Sequence, residues 1–321
     1  MISYLSTPTR RTFLTSASAF LVVATVPFSR PLGAEADVDH GVQPDARSST
    51  AGSAIAFDGD ALIVAHDGLS RRDGDEAWSP LPAPAGGNIL ALAAHPDRPG
   101  RIVAGLADGV ALSEDGGRSW EGRRQGLPDA PVTAITMAAA KPDTLYAALR
   151  DDGLWKSEDA GRSWAFAMDR PWLAEAERDL TALASVELAT GMGGIWVYAG
   201  TELGLTRVPD CFCRWQDVQP GDAMDALVSG AAPAPHAPLP GGEPVIALVS
   251  AASLASRLYA ALPSGVWVSE DAGVVWAQRS TFRAEAIAVH PGNADSVAAL
   301  TRDGLIQSRD GGKSWTVAAN L

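Results

Sequence analysis

Short apolar runs with alternating polar positions recur along this chain, and a turn rich in glycine, proline or aspartate follows most of them. The stretches 132–137 and 245–249 are examples. Alternation over four to eight residues between turn signals indicates a β-strand, and apolar runs of helical length are scarce after the N-terminus. The pattern therefore predicts an all-β protein built from many short strands.

The strands come in repeated groups. Six tryptophans close six similar segments, spaced by 42, 44, 51, 61 and 39 residues, with an aspartate five residues before each one. A glycine precedes that aspartate by six residues in five copies. Four short strands per segment of about 40–50 residues are typical of a propeller blade. We predict a six-bladed β-propeller of four-stranded antiparallel blades over residues 37–321. The landmark aspartates and tryptophans are Asp73, Asp115, Asp159, Asp210, Asp271, Asp310, Trp78, Trp120, Trp164, Trp215, Trp276 and Trp315.

Three copies share nearly the same eight letters: SEDGGRSW at 113–120, SEDAGRSW at 157–164 and SRDGGKSW at 308–315. The aspartate can accept hydrogen bonds from turn N–H groups, and the glycine two residues later suits a positive φ. The tryptophan can fill apolar space and donate its indole N–H. These letters predict a structural turn between the third and fourth strands of a blade.

The pattern Ser-x-Asp-x-Gly-x-Ser-Trp resembles the Asp-box, or BNR, repeat. A fourth copy at 269–276 departs from it at Val275, and the first and fourth segments of the chain match it poorly. The resemblance implies a propeller of the sialidase-like superfamily, with the repeats at the blade periphery. That group includes sialidases, xyloglucan hydrolases, sortilin-like receptors and photosystem II stability or assembly factors, and the chain is most similar in style to the last.

The first 36 residues read as a targeting segment. Arg10 and Arg11 precede Phe13, Leu14 and a short apolar stretch, and small residues occupy the A-x-A positions at 34–36. The arrangement resembles a twin-arginine export signal, which implies a folded protein exported to the periplasm or another extracytoplasmic space. An ordinary secretory signal or an uncleaved anchor are the alternatives. No transmembrane segment is expected in the mature chain.

The charge narrows the range of partners. The chain has 25 Lys and Arg against 38 Asp and Glu, a net charge of −13, and loss of residues 1–36 with their net +2 leaves about −15. Because so acidic a domain repels phosphate backbones, nucleic acid is excluded as a partner. The expected partner is a cell-envelope protein or a small polar or glycan ligand, bound by a monomer without a cofactor.

Strand order predicts where such a partner binds. Strands alternate in direction, so the turns between second and third strands lie opposite the aspartate-tryptophan turns. Polar residues in those turns, with one tryptophan between the third and fourth blades, are the candidates, because Trp and Arg are enriched at interfaces. We expect 171–175 to form one helical turn and the low-complexity stretch 230–240 to be a mobile loop. The ligand-face candidates are Asp67, Asp108, Arg150, Asp152, Trp172, Glu202, Arg302 and Asp303.

The sequence favours a binding or assembly factor over an enzyme. Tyr146, Tyr198 and Tyr259 occupy equivalent positions in second strands, so they are predicted to pack in the core and not to act as a sialidase nucleophile. The alternative is a glycoside hydrolase that uses two carboxylates of the ligand face, as such enzymes do. The aspartates Asp67, Asp108, Asp152 and Asp303 are the available acids, and no spacing singles out a pair.

Cys211 and Cys213 form the motif Cys-Phe-Cys in the fourth segment. Three interpretations stay open: a local disulfide, since exported proteins oxidise their thiols; a soft-metal site such as one for Cu(I); or two buried thiols. His236 is expected on the opposite face, which leaves the pair without a third ligand and makes it a weak metal candidate.

Overall fold

A computed structural model describes residues 52–74, 76–220, 230 and 235–319. The predicted export signal at 1–36, the lead segment up to residue 51 and residues 231–234 of the predicted mobile loop lie outside these described residues. The described chain is almost entirely β-structure, with one 3-10 turn at Met192–Gly194. None of its helices is long and apolar enough to cross a membrane.

The first three blades are antiparallel sheets with strands in chain order. Blade 1 comprises β1 (Ala54–Asp58), β2 (Ala61–His66), β3 (Gly68–Asp73) and β4 (Ser79–Leu81). Blade 2 comprises β5 (Ile89–Ala94), β6 (Ile102–Leu106), β7 (Gly109–Ser113) and β8 (Glu121–Gly122). Blade 3 comprises β9 (Val132–Met137), β10 (Leu145–Leu149), β11 (Gly153–Ser157) and β12 (Ala165–Met168).

A two-stranded hairpin, β13 (Trp172–Leu173) and β14 (Ala176–Glu177), precedes the other three blades. Blade 4 comprises β15 (Ala182–Val186), β16 (Trp196–Thr201) and β17 (Gly204–Pro209), and a single bridge between Arg207 and Gln216 takes the place of its fourth strand. Blade 5 comprises β18 (Ala247–Ser250), β19 (Leu258–Leu262), β20 (Gly265–Ser269) and β21 (Trp276–Gln278). Blade 6 comprises β22 (Ala286–His290), β23 (Asn293–Thr301), β24 (Gly304–Ser308) and β25 (Thr316–Ala319). The predicted six-bladed propeller is confirmed.

The core consists of six apolar clusters, and each cluster draws its side chains from two neighbouring blades. One of them joins Ile55 and Phe57 of blade 1 to Ala288 and Leu300 of blade 6. Every blade is one continuous stretch of chain, so the ring closes through packing of the last blade on the first. Because a four-stranded sheet buries its two faces only against neighbours, the ring supplies most of the hydrophobic stabilisation.

The three tyrosines of the second strands are fully buried, and each hydroxyl donates a hydrogen bond to the next blade. Burial raises the pKa of each phenol above its usual range. Their predicted packing role is confirmed, and they also link the blades. The bonds run from Tyr146 to Asp210 Oδ1 at 2.7 Å, from Tyr198 to Ala272 O at 2.8 Å and from Tyr259 to Ala294 O at 2.8 Å.

Four turns, which we call the Ser-Asp-Gly turns, have one hydrogen-bond pattern; they lie at 113–120, 157–164, 269–276 and 308–315. In each, the first serine hydroxyl accepts the N–H of the glycine four residues later at 2.8 Å, and the aspartate accepts the N–H of the fourth residue beyond it. The glycine φ lies between 80° and 88°, where other residues are strained. The hydrogen bonds of this turn therefore hold the outer strand of the blade against the third strand.

The first and fourth blades lack the hydrogen-bond pattern of the Ser-Asp-Gly turns. Asp73 pairs with Arg71 at 2.8 Å, while Asp210 lies against Tyr146 and Lys156, with Lys156 Nζ 3.0 Å away. The turns of these two blades lack the serine two residues before the aspartate, so their carboxylates bind other groups. Asp73 and Asp210, which the sequence includes among the Asp-box aspartates, therefore contact arginine, tyrosine or lysine side chains, as the poor match of these two segments to the repeat suggests.

The serine hydroxyls also set the acidity of three turn aspartates. The hydroxyl of Ser163 donates to Asp159 Oδ2 at 2.6 Å, and this bond is the main cause that lowers the pKa of Asp159 to about 2. Asp115 beside Ser119 and Asp310 beside Ser314 have pKa values lowered to about 2 in the same way. A carboxyl with a lowered pKa stabilises the fold above its unfolded value of 3.8, and this contribution disappears as the pH falls towards 2.

We therefore expect Asp159→Asn to lower the free energy of unfolding by about 1 kcal/mol at pH 6, because the amide cannot accept the Ser163 hydroxyl and N–H as the carboxylate does. The difference from the wild type should shrink at pH 3. Urea unfolding at both pH values measures it. Asp129→Asn, a change to a carboxylate that is 87% exposed, serves as the control with little effect. An equal loss at both pH values would contradict the assignment.

Candidate functional site

Seven of the eight predicted ligand-face residues lie in turns between second and third strands, and Trp172 lies in the hairpin between blades 3 and 4. Four of them are exposed and make no side-chain hydrogen bond or ion pair with the described part of the chain. They are spread over three blades, so they form no single cluster. These four are Asp67, Arg150, Arg302 and Asp303.

The remaining candidates in these turns have partners within the protein. Asp108 lies 4.0 Å from the guanidinium of Arg124. Asp152 is half-buried and accepts a hydrogen bond from the indole N–H of Trp155. Glu202 pairs with the guanidinium of Arg178, the residue that follows the hairpin. These contacts fix the turn residues in position.

The segment 171–175 forms a β-hairpin where the sequence predicted a helical turn. Trp172 pairs with Glu177 and Leu173 with Ala176, and the two connecting residues, Ala174 and Glu175, have φ values of 48° and 63°. A two-residue hairpin loop with positive φ at both positions matches the twist of the strands. The cross-strand bonds outweigh the strain of placing two residues with side chains there.

Two arginines fasten the hairpin to the propeller. Arg170 contacts the carboxylates of Asp151, Glu177 and Asp179 at 3.2, 2.6 and 2.9 Å, and the bonds to Asp179 and Glu177 raise its pKa. The link to Asp151 connects the hairpin to the blade 3 turn.

Arg178 donates to Leu173 O at 3.1 Å and contacts Glu202 of the blade 4 turn at 2.5 Å. The hairpin is thus clamped on both sides, while the Trp172 side chain is 69% exposed. Because the ion pairs hold the hairpin backbone in place, Trp172 loses little conformational entropy when it binds a partner.

A cavity of about 280 Å³ lies at the end of the central channel where the first strands of all six blades end. Its lining includes Pro96, Ala139, Glu187 and Pro291 from the turns that follow those strands. Because strands alternate in direction, this end of the channel is on the side of the Ser-Asp-Gly turns. None of the eight predicted ligand-face residues lines it.

Cys211 and Cys213 form a disulfide bond. Both sulfurs are used by that bond, so the pair offers no thiolate for a metal, and the weak metal candidate is wrong. The described residues contain no group of three or more His, Cys, Asp or Glu side chains that could hold a metal ion. Phe212 between the two cysteines packs edge-on against Tyr146 at 6.2 Å between ring centroids.

The long connection to blade 5 returns along the outer edge of that blade. Ala237 bridges to Val275, and the His236 ring lies 3.2 Å from Val218 O. His236 therefore lies beside the Ser-Asp-Gly turn of blade 5, and its expected place on the opposite face is wrong. Backbone pairing with the outer strand, which the low-complexity sequence does not signal, decides this position.

The architecture is that of a six-bladed β-propeller, with a polar turn face at one end of the channel and a cavity lined by both apolar and polar groups at the other. No protein-family model matches the chain, and no curated protein matches its sequence. Solved structures do match it. The GH74 xyloglucanase from Xanthomonas campestris aligns with 83% of this chain and 47% of its own, at 19% identity and a TM-score of 0.52.

A GH74 enzyme from Niastella koreensis aligns with 83% of this chain and 45% of its own, at 18% identity and a TM-score of 0.54. YCF48 from Cyanidioschyzon merolae aligns with 79% of this chain and 80% of its own, at 14% identity and a TM-score of 0.49. The chain spans less than half the length of the two GH74 structures. At their identities of 19% and 18%, the two GH74 structures establish the fold alone.

The disulfide predicts the result of a thiol titration. The native protein should contain no reactive thiol, and two should appear after reduction in denaturant, since the chain has two cysteines. The oxidised protein should retain no Cu(I) or Zn²⁺ on dialysis. A protein with Cys211→Ser and Cys213→Ser provides the zero-thiol control. Two reactive thiols in oxidised native protein would contradict the assignment.

Proposed function

We propose that this protein is an exported, non-catalytic, monomeric propeller that holds a protein partner of the cell envelope, in the manner of an assembly or stability factor. The observation that carries this proposal is the clamped hairpin with its 69% exposed Trp172. Interface hot spots are enriched in tryptophan and arginine. A large aromatic ring that is held exposed to water is unfavourable for a surface that binds nothing. We also propose that the Ser-Asp-Gly turns are Asp-box repeats, which would place the protein among the Asp-box propellers.

The surroundings of the hairpin support a protein partner. Charges of both signs border the hairpin that carries Trp172: Glu177 lies opposite Trp172 in the hairpin and pairs with Arg170, and Arg178 pairs with the exposed Glu202 of the blade 4 turn. A tryptophan bordered by charged groups has the composition of an interface centre with a polar rim. Glycan ligands that stack on an aromatic ring are accommodated by the same arrangement.

A glycoside hydrolase is the second candidate, favoured by the fold that the chain shares with two GH74 structures. Such an enzyme needs two carboxylates on either side of one bond, with the acid in a partly apolar environment. Asp67 and Asp303 lie on open turns, Asp108 is beside Arg124, and Asp152 binds Trp155. These environments favour binding over hydrolysis.

Replacement of Trp172 by alanine should weaken partner binding by about 2 kcal/mol or more, roughly thirtyfold, while the melting temperature stays unchanged. A photo-crosslinking residue at position 172 identifies the partner in the cell envelope, and titration of the purified partner measures the affinity. Phe166→Ala, which removes an aromatic ring 49% exposed on an outer strand, is the matched control and should bind normally.

The proposal would be abandoned if the mature protein hydrolysed chromogenic glycosides and Asp152→Ala or Asp303→Ala abolished that activity. Equal binding by the Trp172→Ala and Phe166→Ala proteins would place the partner elsewhere on the disc.

Export through a twin-arginine route is a separate expectation from the sequence. Replacing both Arg10 and Arg11 by lysine should leave the chain in the cytoplasm, because such signals are read by a receptor as an address. Cell fractionation with an antibody to the folded domain measures the distribution. Arg30→Lys is the matched control, since that arginine lies outside the pair. Normal export of the double variant would exclude this route.

A further inference from the structure

The channel cavity has two chemically different sides. At the position just before the ends of the first strands, cross-strand pairing places six equivalent residues in one layer around it. Blades 6, 1 and 2 contribute only apolar side chains to this layer, whereas blades 4 and 5 contribute hydroxyls. The layer consists of Ala56, Ala94, Met137, Ser185, Ser250 and Val289.

The Ser185 hydroxyl marks the polar side. Ser185 is 8% exposed, and its Oγ makes no hydrogen bond to any described protein group. Its backbone is satisfied, because its N–H donates to Thr136 Oγ1 at 3.3 Å and its carbonyl accepts the Ser250 hydroxyl at 2.7 Å. A buried hydroxyl without a partner has lost its hydrogen bonds to water without replacement, so a polar ligand atom that bonds it gains affinity.

One charged side chain lines the cavity in the described chain. Glu187 follows Ser185 by two residues, just past the end of β15, and the spacing of an extended chain puts their Cα atoms roughly 7 Å apart. Its Oε1 accepts the N–H of Ala140, which leaves Oε2 without a bond to the described protein. A cation between the hydroxyl and the carboxylate could contact both oxygens. An anion there would meet an unbalanced negative charge.

We propose that this cavity binds a small primary amine with an apolar body. Ser185 Oγ is buried in the structure, so a rotation of this side chain first turns the hydroxyl into the cavity. The ammonium then donates hydrogen bonds to Ser185 Oγ and Glu187 Oε2, and the body lies against Ala56, Ala94 and Val289 on the other side. The volume of about 280 Å³ is near the lower end of the range of about 300–1,000 Å³ for small-molecule sites, so the ligand is small. This site is at the opposite end of the channel from the hairpin, and the proposal is independent of the proposed function.

Three probes with one body and different head groups test the ligand class. Calorimetric titration of the mature protein at pH 7 should give saturable binding of 2-phenylethylamine, weaker binding of 2-phenylethanol and none of phenylacetate. The amine should exceed the alcohol by about tenfold, the value of a hydrogen bond to a charged group. Equal affinities, preference for the carboxylate, or no binding of any probe would overturn the proposal.

Two variants test the named atoms. Ser185→Ala should weaken amine binding about three- to tenfold without lowering the melting temperature, because it removes a hydroxyl that has no protein partner. If Ser185 had only a structural role, the Ser185→Ala protein would instead have a lower melting temperature and an unchanged affinity for the amine. Glu187→Gln should reduce amine affinity about tenfold and bring it to the level of the alcohol.

A third variant tests the location. Ala252 lines the mouth of the cavity and is exposed, so Ala252→Trp should block the opening and abolish binding. Ser253→Trp adds the same bulk at the neighbouring exposed position, which does not line the cavity, and should bind normally. Circular dichroism verifies folding of both proteins. Full binding by a folded Ala252→Trp protein would place the amine elsewhere and overturn the proposal.

Discussion

Face-to-face packing of neighbouring blades is the interaction on which this protein depends. No blade has a core of its own, since each of the six apolar clusters lies between two sheets. The stability of every blade therefore requires both neighbours, and the ring has no free end where a sheet face would be exposed. Closure by blade 6 on blade 1 needs no exchanged strand, because Phe57, Leu62 and Leu300 fill the last interface as their counterparts fill the others.

Polar links refine this packing. Tyr146, Tyr198 and Tyr259 reach across three successive interfaces, and Arg101 links blade 2 to Asp143 of blade 3 at 2.7 Å. The Ser-Asp-Gly turns act within a blade and hold its outer strand. In blade 4 the aspartate serves the interface instead, and a disulfide closes the local chain. The aspartate at this position of the blade thus has two structural roles, and the side chains around it determine which one it has.

The two ends of the channel have different chemistry because they are built from different parts of each blade. Turns between second and third strands carry charge, and the hairpin adds an exposed tryptophan beside them. Turns after the first strands contribute alanine and proline, and the cavity beside them is lined by apolar side chains together with hydroxyls and the Glu187 carboxylate. Because every blade packs against two neighbours, the closed ring holds the two surfaces at its opposite ends.

The sequence by itself determined the fold, the number of blades, the turns with their positive-φ glycines and the buried position of the tyrosines. All of these follow from signals within single blades: the aspartate and tryptophan landmarks recur six times, the Ser-Asp-Gly turns four times and the tyrosines three times. Only the tertiary structure decided the clamped hairpin, the role of Asp210, the place of His236 and the polar side of the cavity. Each depends on partners far apart in the chain, such as Tyr146 with Asp210 or Ser250 with Ser185, and no local pattern encodes which distant blade a side chain will face.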